Sequence, residues 1–213
     1  MTDMIDSIKE MVVSGKFNDI EAEVQRAVDS GADLNSLINE ALIIAMDIVG
    51  KKFADNEIYV PEMLVSAKTM KMGLDIIKPL LQSGEAEHRG TIAMGTVKGD
   101  LHDIGKNLVT MMMEGAGFKI IDLGVDVKIE DLIDTVKKEE ADVLGLSALL
   151  TTTMPEMQKV IEALEEAGLR NQLKVIVGGA PIDQGFADKI GADGFGADAV
   201  EAVQLAREMI VGK

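Results

Sequence analysis

A bundle of amphipathic helices followed by a doubly wound parallel α/β sheet is the fold class this sequence predicts, on three observations. Residues 1–83 carry helical periodicity and almost no strand signal. The segment 84–90, Gly84-Glu85-Ala86-Glu87-His88-Arg89-Gly90, is polar, bounded by glycine and without apolar period, which marks a linker. From residue 91 to 213, short apolar runs alternate with helical repeats, the pattern of a parallel sheet covered by helices.

In the first part, Ile5, Ile8, Met11 and Val12 line one helix that Gly15 ends. Ile20, Val24, Ala27 and Val28 line a second, closed by Gly31. Asp33 is placed to cap a third helix, whose Leu34, Leu37, Ile38, Ala41, Leu42 and Met46 recur at spacings of three and four. Pro61 stands near the start of a fourth, running through Leu64, Ala67, Met70, Leu74 and Ile77. Four such helices joined by short turns predict a bundle.

In the second part, Thr91-Ile92-Ala93-Met94-Gly95-Thr96-Val97 reads as a buried strand. It is followed by a helix whose apolar positions are Ile104, Leu108, Val109 and Met112. Gly115-Ala116-Gly117 stops that helix, and Phe118–Leu123 forms the next strand. A helix through Ile129, Leu132, Ile133 and Val136 leads to the strand Val143–Ser147. A helix through Met157, Val160, Ile161 and Leu164, ended at Gly168, leads to the strand Lys174–Gly178. A short strand near Gly194-Phe195 and a last helix through Val200, Val203, Leu205 and Ile210 complete about five βα units, a Rossmann or flavodoxin-like arrangement.

Composition narrows the function. The 213 residues contain 37 Asp plus Glu against 21 Lys plus Arg, a formal net charge of −16, so the overall field opposes phosphate backbones and anionic membranes. Aromatics are 3% of the chain, with one Tyr and no Trp, which leaves no stacking platform for single-stranded nucleic acid. The absence of cysteine excludes disulfides, thiolate metal sites and a cysteine nucleophile. The acidic start lacks the pattern of a signal peptide, and no apolar run approaches the ~20 residues of a membrane span, so a cytoplasmic location is expected.

The most informative residues are Gly99-Asp100-Leu101-His102-Asp103-Ile104-Gly105-Lys106-Asn107, in the turn between the first strand and its helix. His102 thereby falls at the carboxyl end of a strand, where open α/β sheets bind ligands. Asp100 can accept a hydrogen bond from one imidazole N–H, fixing the tautomer and strengthening the other nitrogen as a donor. Gly105 has no Cβ, so a bulky group can pass close to the backbone.

Together with Ser147-x-Leu149 and Gly178-Gly179 at the next strand ends, Asp100, His102 and Gly105 resemble the three-part signature of cobalamin-binding domains. The resemblance implies that His102 is the lower axial ligand of cobalt and that the displaced benzimidazole tail runs beside Gly105, Ser147 and Gly178-Gly179. Ser147 would then hydrogen-bond the tail and the glycines would leave room for its ring. Asp103, Ile104 and Leu149 are implied as further cofactor contacts. The segment Leu150–Met157 is similar to part of methionine synthase, which implies that Thr151 reaches the tail and that Thr153 extends the Asp100–His102 relay. Thr153-x-x-Glu156 also fits a helix capping box, and both readings stay open.

With its preceding helices, the chain resembles the small corrinoid proteins of three-component methyltransferase systems. In these, Co(I) takes a methyl group from a donor held by a substrate-specific methyltransferase. A second methyltransferase then passes it to tetrahydrofolate or a thiol. A reductive activator is an expected partner, because Co(I) oxidises easily. Ile58–Ala67 resembles the helix start that covers the reactive face of the corrin, which implies Met63, Leu64 and Ala67 as the apolar cap; as a Met-rich stripe they read equally as bundle core. The linker would act as a hinge that uncovers the cobalt. A cobalamin-binding subunit of an adenosylcobalamin-dependent mutase shares the three motifs but usually lacks the helical part.

Overall fold

The structure, a computed structural model, describes residues 2–80 and 89–211. His88 and residues 84–88 of the expected linker and hinge lie outside the described residues. The chain divides into two compact units, residues 1–87 with 114–117 and residues 88–113 with 118–213.

The first unit is helical, because its apolar residues recur at helical spacing and its ends carry helix stops. Helix α1 spans Thr2–Val13 and α2 spans Phe17–Asp29, with Gly15 and Gly31 at positive φ after each. Asp33 caps α3, Leu34–Ser36, by accepting the Ser36 N–H at 2.7 Å. The helix then widens into a π-helical stretch, Leu37–Ile43, before α4, Ile44–Ala54. Widening lets three successive residues, Ala41, Leu42 and Ile43, all be buried, which an unbroken α-helix does not favour. Helix α5, Val60–Ile77, closes the bundle and ends in a 3-10 turn at Lys78–Leu80.

The second unit is a five-stranded parallel sheet. Its strands are β1 Thr91–Thr96, β2 Lys119–Asp122, β3 Val143–Ser147, β4 Lys174–Gly178 and β5 Gly194–Gly196, in the spatial order 2-1-3-4-5. The connecting helices are α6 Ile104–Gly115, α7 Ile129–Glu139, α8 Met154–Glu166 and α9 Gln184–Ile190, and α10 Ala199–Val211 follows β5. Right-handed crossovers put α7, α8 and α9 on one face, where Leu132, Val136, Met157, Leu164, Ala187 and Ile190 pack on Ala93, Leu144, Leu146, Val175 and Val177. The chain turns the other way only from β1 to β2, so β1 and β3 flank the topological switch point. The flavodoxin-like order places a ligand there.

Helix α6 corrects one expectation. Ile104, taken as the start of its inner apolar stripe, is 86% exposed, whereas Lys106 is buried. Met112 is buried as the stripe requires, and Leu108 and Val109 are half-buried.

Candidate functional site

The turn after β1 is held by backbone and side-chain hydrogen bonds at Gly99, Asp100 and His102. Asp100 donates its N–H to the Val97 carbonyl at 3.1 Å, and its own carbonyl accepts the Asp126 N–H at 2.9 Å. The buried Thr96 hydroxyl donates to the His102 carbonyl at 2.9 Å. The peptide that carries the imidazole is therefore fixed to the end of β1.

Asp100 is wholly buried, and its carboxylate joins three parts of the site. Oδ1 accepts the His102 backbone N–H at 3.1 Å and faces His102 Nδ1 at 2.8 Å. Oδ2 accepts the Leu149 N–H at 2.8 Å, the Leu150 N–H at 3.2 Å and the Thr153 hydroxyl at 2.8 Å. Burial pushes the Asp100 carboxyl up. The Leu149 N–H, the Thr153 hydroxyl and the His102 ring and N–H together outweigh it and hold the group well below the usual carboxylate range. An ionised carboxylate can only accept, so Nδ1 carries the proton of a neutral His102 ring and Nε2 keeps its lone pair. The ring is 53% exposed. It is a pre-oriented nitrogen donor whose supporting carboxylate is already in place.

Asp100 reaches Leu149, Leu150 and Thr153 across the switch point, from the loop after β1 to the loop after β3. Of the two readings of Thr153, the structure bears on the cap. The residue stands at the start of α8 without a side-chain capping bond, so the capping box does not form. Its hydroxyl lies 2.8 Å from Asp100 Oδ2 and 2.9 Å from the Leu150 carbonyl, and its single proton serves one acceptor at a time.

Parallel register sets Thr96, Ser147, Gly178 and Gly196 in one row across the carboxyl edge. Ser147 is half-buried, and its hydroxyl has no hydrogen bond among the described residues. The glycine pair answers a demand of the protein itself. A Cβ at Gly178 would come within 3.1 Å of the Gly196 carbonyl, and one at Gly179 within 1.8 Å of the Ala148 carbonyl. Neither position has room for a side chain, whatever else passes beside it. Gly105 is different, because a Cβ there would meet nothing within 4 Å.

Four large apolar side chains in the segments after β1 and β3 are exposed: Leu101 at 72%, Ile104 at 86%, Leu149 and Leu150. Such side chains at a sheet's ligand-binding edge cost free energy in water and fit a broad apolar molecule laid over them. The available nitrogen, the exposed apolar side chains, the unpartnered Ser147 hydroxyl and the open side of Gly105 fit a corrinoid. Thr151 is exposed in the same loop, and exposed Asp103 accepts the Asn107 amide at 3.0 Å through Oδ2.

In the helical unit, Met63 and Ala67 are buried and Leu64 is half-buried. Of the three expected cap residues, Leu64 alone keeps appreciable surface. Met63 and Ala67 take the pattern of core positions, as a Met-rich helical stripe commonly does.

Several supporting residues were not found from sequence. Lys106 lies 2.6 and 2.7 Å from the two oxygens of Asp122 at the end of β2, and it also donates to Asn107 Oδ1 at 2.8 Å. Asp126 accepts the Gly99 N–H at 2.7 Å. Thr96, Asp122 and Asp126 all stand at or just beyond the carboxyl ends of β1 and β2, a position that could have drawn attention to them.

A flavodoxin-ordered sheet with a carboxylate-anchored histidine at its switch point defines a cofactor-binding α/β protein, and comparison with known proteins specifies the cofactor. Two family models, each described as a B12 binding domain, match residues 4–78 and 90–204. A corrinoid protein of Desulfitobacterium hafniense is 42% identical over 99% of this chain and 98% of its own. Dimethylamine corrinoid protein 2 of Methanosarcina acetivorans is 39% identical over 99% and 98%. Among solved structures, the methanol:cobalamin methyltransferase complex of Methanosarcina barkeri matches with a TM-score of 0.90 and 31% identity, over 99% of this chain and 81% of that one. A cobalamin-binding protein of Desulfitobacterium hafniense matches with a TM-score of 0.79 and 31% identity, over 96% and 98%. The chain belongs to the B12-binding corrinoid proteins, and its cofactor is cobalamin. Among the described residues, no helix is long and apolar enough to cross a membrane.

Proposed function

We propose that this protein is a corrinoid methyl carrier, in which His102 Nε2 is the lower ligand of cobalt. The carrying observation is the 2.8 Å contact between His102 Nδ1 and the buried Asp100 carboxylate, which leaves Nε2 as the donor at a sheet edge with exposed apolar side chains. When bound, the cobalt supplies the nucleophile that takes up a methyl group and the bond that holds it for transfer. Asp100 fixes the tautomer and orientation of His102, and the Thr153 hydroxyl steadies Asp100. Leu101, Ile104, Leu149 and Leu150 would exclude water from a bound corrinoid, and Ser147 and Thr151 would offer it hydroxyls.

Carriage implies that the methyl group arrives from one enzyme and leaves through another. The expected partners are a substrate-specific methyltransferase, a second methyltransferase that uses tetrahydrofolate or a thiol, and a reductive activator. Support comes from relatives named as dimethylamine and trimethylamine corrinoid proteins and from the match to a methanol:cobalamin methyltransferase complex. The helical residues 4–78 match a B12 binding domain of their own, which weighs against the mutase-subunit alternative.

The test is anaerobic reconstitution with hydroxocobalamin, followed by electron paramagnetic resonance of the Co(II) state with and without ¹⁵N-histidine in the protein. The expected spectrum shows cobalt coupled to one protein nitrogen, absent in His102→Ala. Coupling to benzimidazole alone, or no corrinoid uptake, would overturn the assignment. His102→Ala should cost the cofactor-free protein about 1 kcal/mol, because the half-exposed ring adds little packing but its N–H is one of several donors to the buried Asp100 carboxylate.

A further inference from the structure

The residue immediately before Asp100 is a loose joint. Gly99 is exposed and sits at φ +81°, a conformation that glycine enters and leaves freely. Asp100 must nevertheless keep five hydrogen-bonding contacts in line, two of them to His102. Something outside the motif has to remove the freedom of Gly99.

Asp126, in the loop between β2 and α7, is placed to do so. Its carboxylate accepts the Gly99 N–H at 2.7 Å, a short charge-assisted bond. Its own N–H donates to the Asp100 carbonyl at 2.9 Å. One residue therefore grips both ends of the Gly99–Asp100 dipeptide. Its own backbone is left-handed, at φ +51°, which a residue with a side chain adopts at a cost that glycine would avoid. The neighbouring Gly124 takes positive φ without that cost, so a glycine at 126 would satisfy the turn but not the Gly99 N–H. The adjoining Val127 N–H donates to the Thr96 carbonyl at 3.1 Å, so the gripping loop is itself tied to β1.

We propose that Asp126 is a positioning residue that locks Gly99 and thereby sets the alignment of the Asp100–His102 pair beneath the cobalt. The proposal rests on the reading of His102 as the lower ligand. Asp126 makes no hydrogen bond to His102 and acts through the main chain of residues 99 and 100.

Two substitutions separate this role from general loop stability. Asp126→Gly keeps the left-handed backbone and the N–H to Asp100 while deleting the acceptor. Asp126→Asn keeps both the backbone tolerance and an oxygen for Gly99. In the Co(II) spectrum of reconstituted protein, the glycine variant should lose at least half of the histidine-coordinated signal at equal corrinoid content, and the asparagine variant should retain most of it. In the cofactor-free protein, the Leu149 amide, which reports the grip of Asp100, should exchange with solvent several-fold faster in the glycine variant only. A glycine variant with wild-type spectrum and wild-type exchange would overturn the proposal, and so would equal losses in both variants. A wild-type spectrum without histidine coupling would overturn the His102 assignment itself, and this proposal with it.

Discussion

The two units bury polar groups in different ways. In the helical unit two buried groups find partners within their own helix: Thr69 donates to the Val65 carbonyl at 2.7 Å, and Glu23 pairs with Arg26. In the α/β unit, Lys106 reaches Asp122 sixteen positions on, and Asp100 reaches Leu149 and Thr153 across 49 and 53 positions. Local partners persist whenever the helix persists. Distant partners exist only when the tertiary arrangement is right, so they report on the arrangement that function needs.

The sharpest way to break this contrast is Asp100→Asn. An amide cannot accept at both oxygen positions: with its oxygen toward Leu149, Leu150 and Thr153 it turns an NH2 toward the His102 N–H, and with its oxygen toward His102 it leaves the other three donors without their buried acceptor. The expected destabilisation is about 4 kcal/mol in chemical denaturation. Asp100 has its folded pKa lowered, so its contribution is present above the unfolded value near 3.8 and is lost as pH falls toward and through the folded value. The gap between wild type and Asp100→Asn should therefore be constant from neutral pH to about pH 5 and should narrow only below about pH 4. A gap that narrowed between about pH 5 and 7 would contradict the lowered carboxyl.

Asp122→Ala comes next, with an expected loss of about 3 kcal/mol, because it strands the buried Lys106 ammonium. Part of the cost is relieved by the half-exposed position of Asp122 itself. Thr153→Val removes one of several donors to Asp100 and should cost about 1 kcal/mol, read as a small fall in Tm. Thr69→Val, the control in the helical unit, should change stability by less than about 0.5 kcal/mol, since its hydroxyl shares a carbonyl of its own helix. If Thr69→Val cost as much as Asp100→Asn, the contrast between local and distant partners would fail.

The same contrast explains what could be read from sequence. The Asp33 cap, the stops at Gly15 and Gly31 and the strand–helix alternation are local patterns, and each was legible. His102 and Asp100 were legible because the bond between them spans two residues. Lys106 was not, since a lysine one turn into an apolar helix reads as solvent-facing until the carboxylate that neutralises it is known. Ile104 carried two readings, a place in the apolar repeat and a cofactor contact, and its exposure removes the first, because periodicity alone assigns apolar residues to a core. The glycines at 178 and 179 were legible as positions needing glycine. Their demand comes from the Gly196 and Ala148 carbonyls, which no spacing rule locates.

The π-helical stretch at Leu37–Ile43 has a consequence for how this chain can change its length. An i→i+5 ladder holds one residue more per turn-closing bond than an α-helix. Asn39 and Glu40 lie on its exposed side. Removing one of them would let the segment close as an ordinary α-helix while the apolar faces on either side stayed in phase. The bundle therefore contains a site where a single codon can be gained or lost without rebuilding its core.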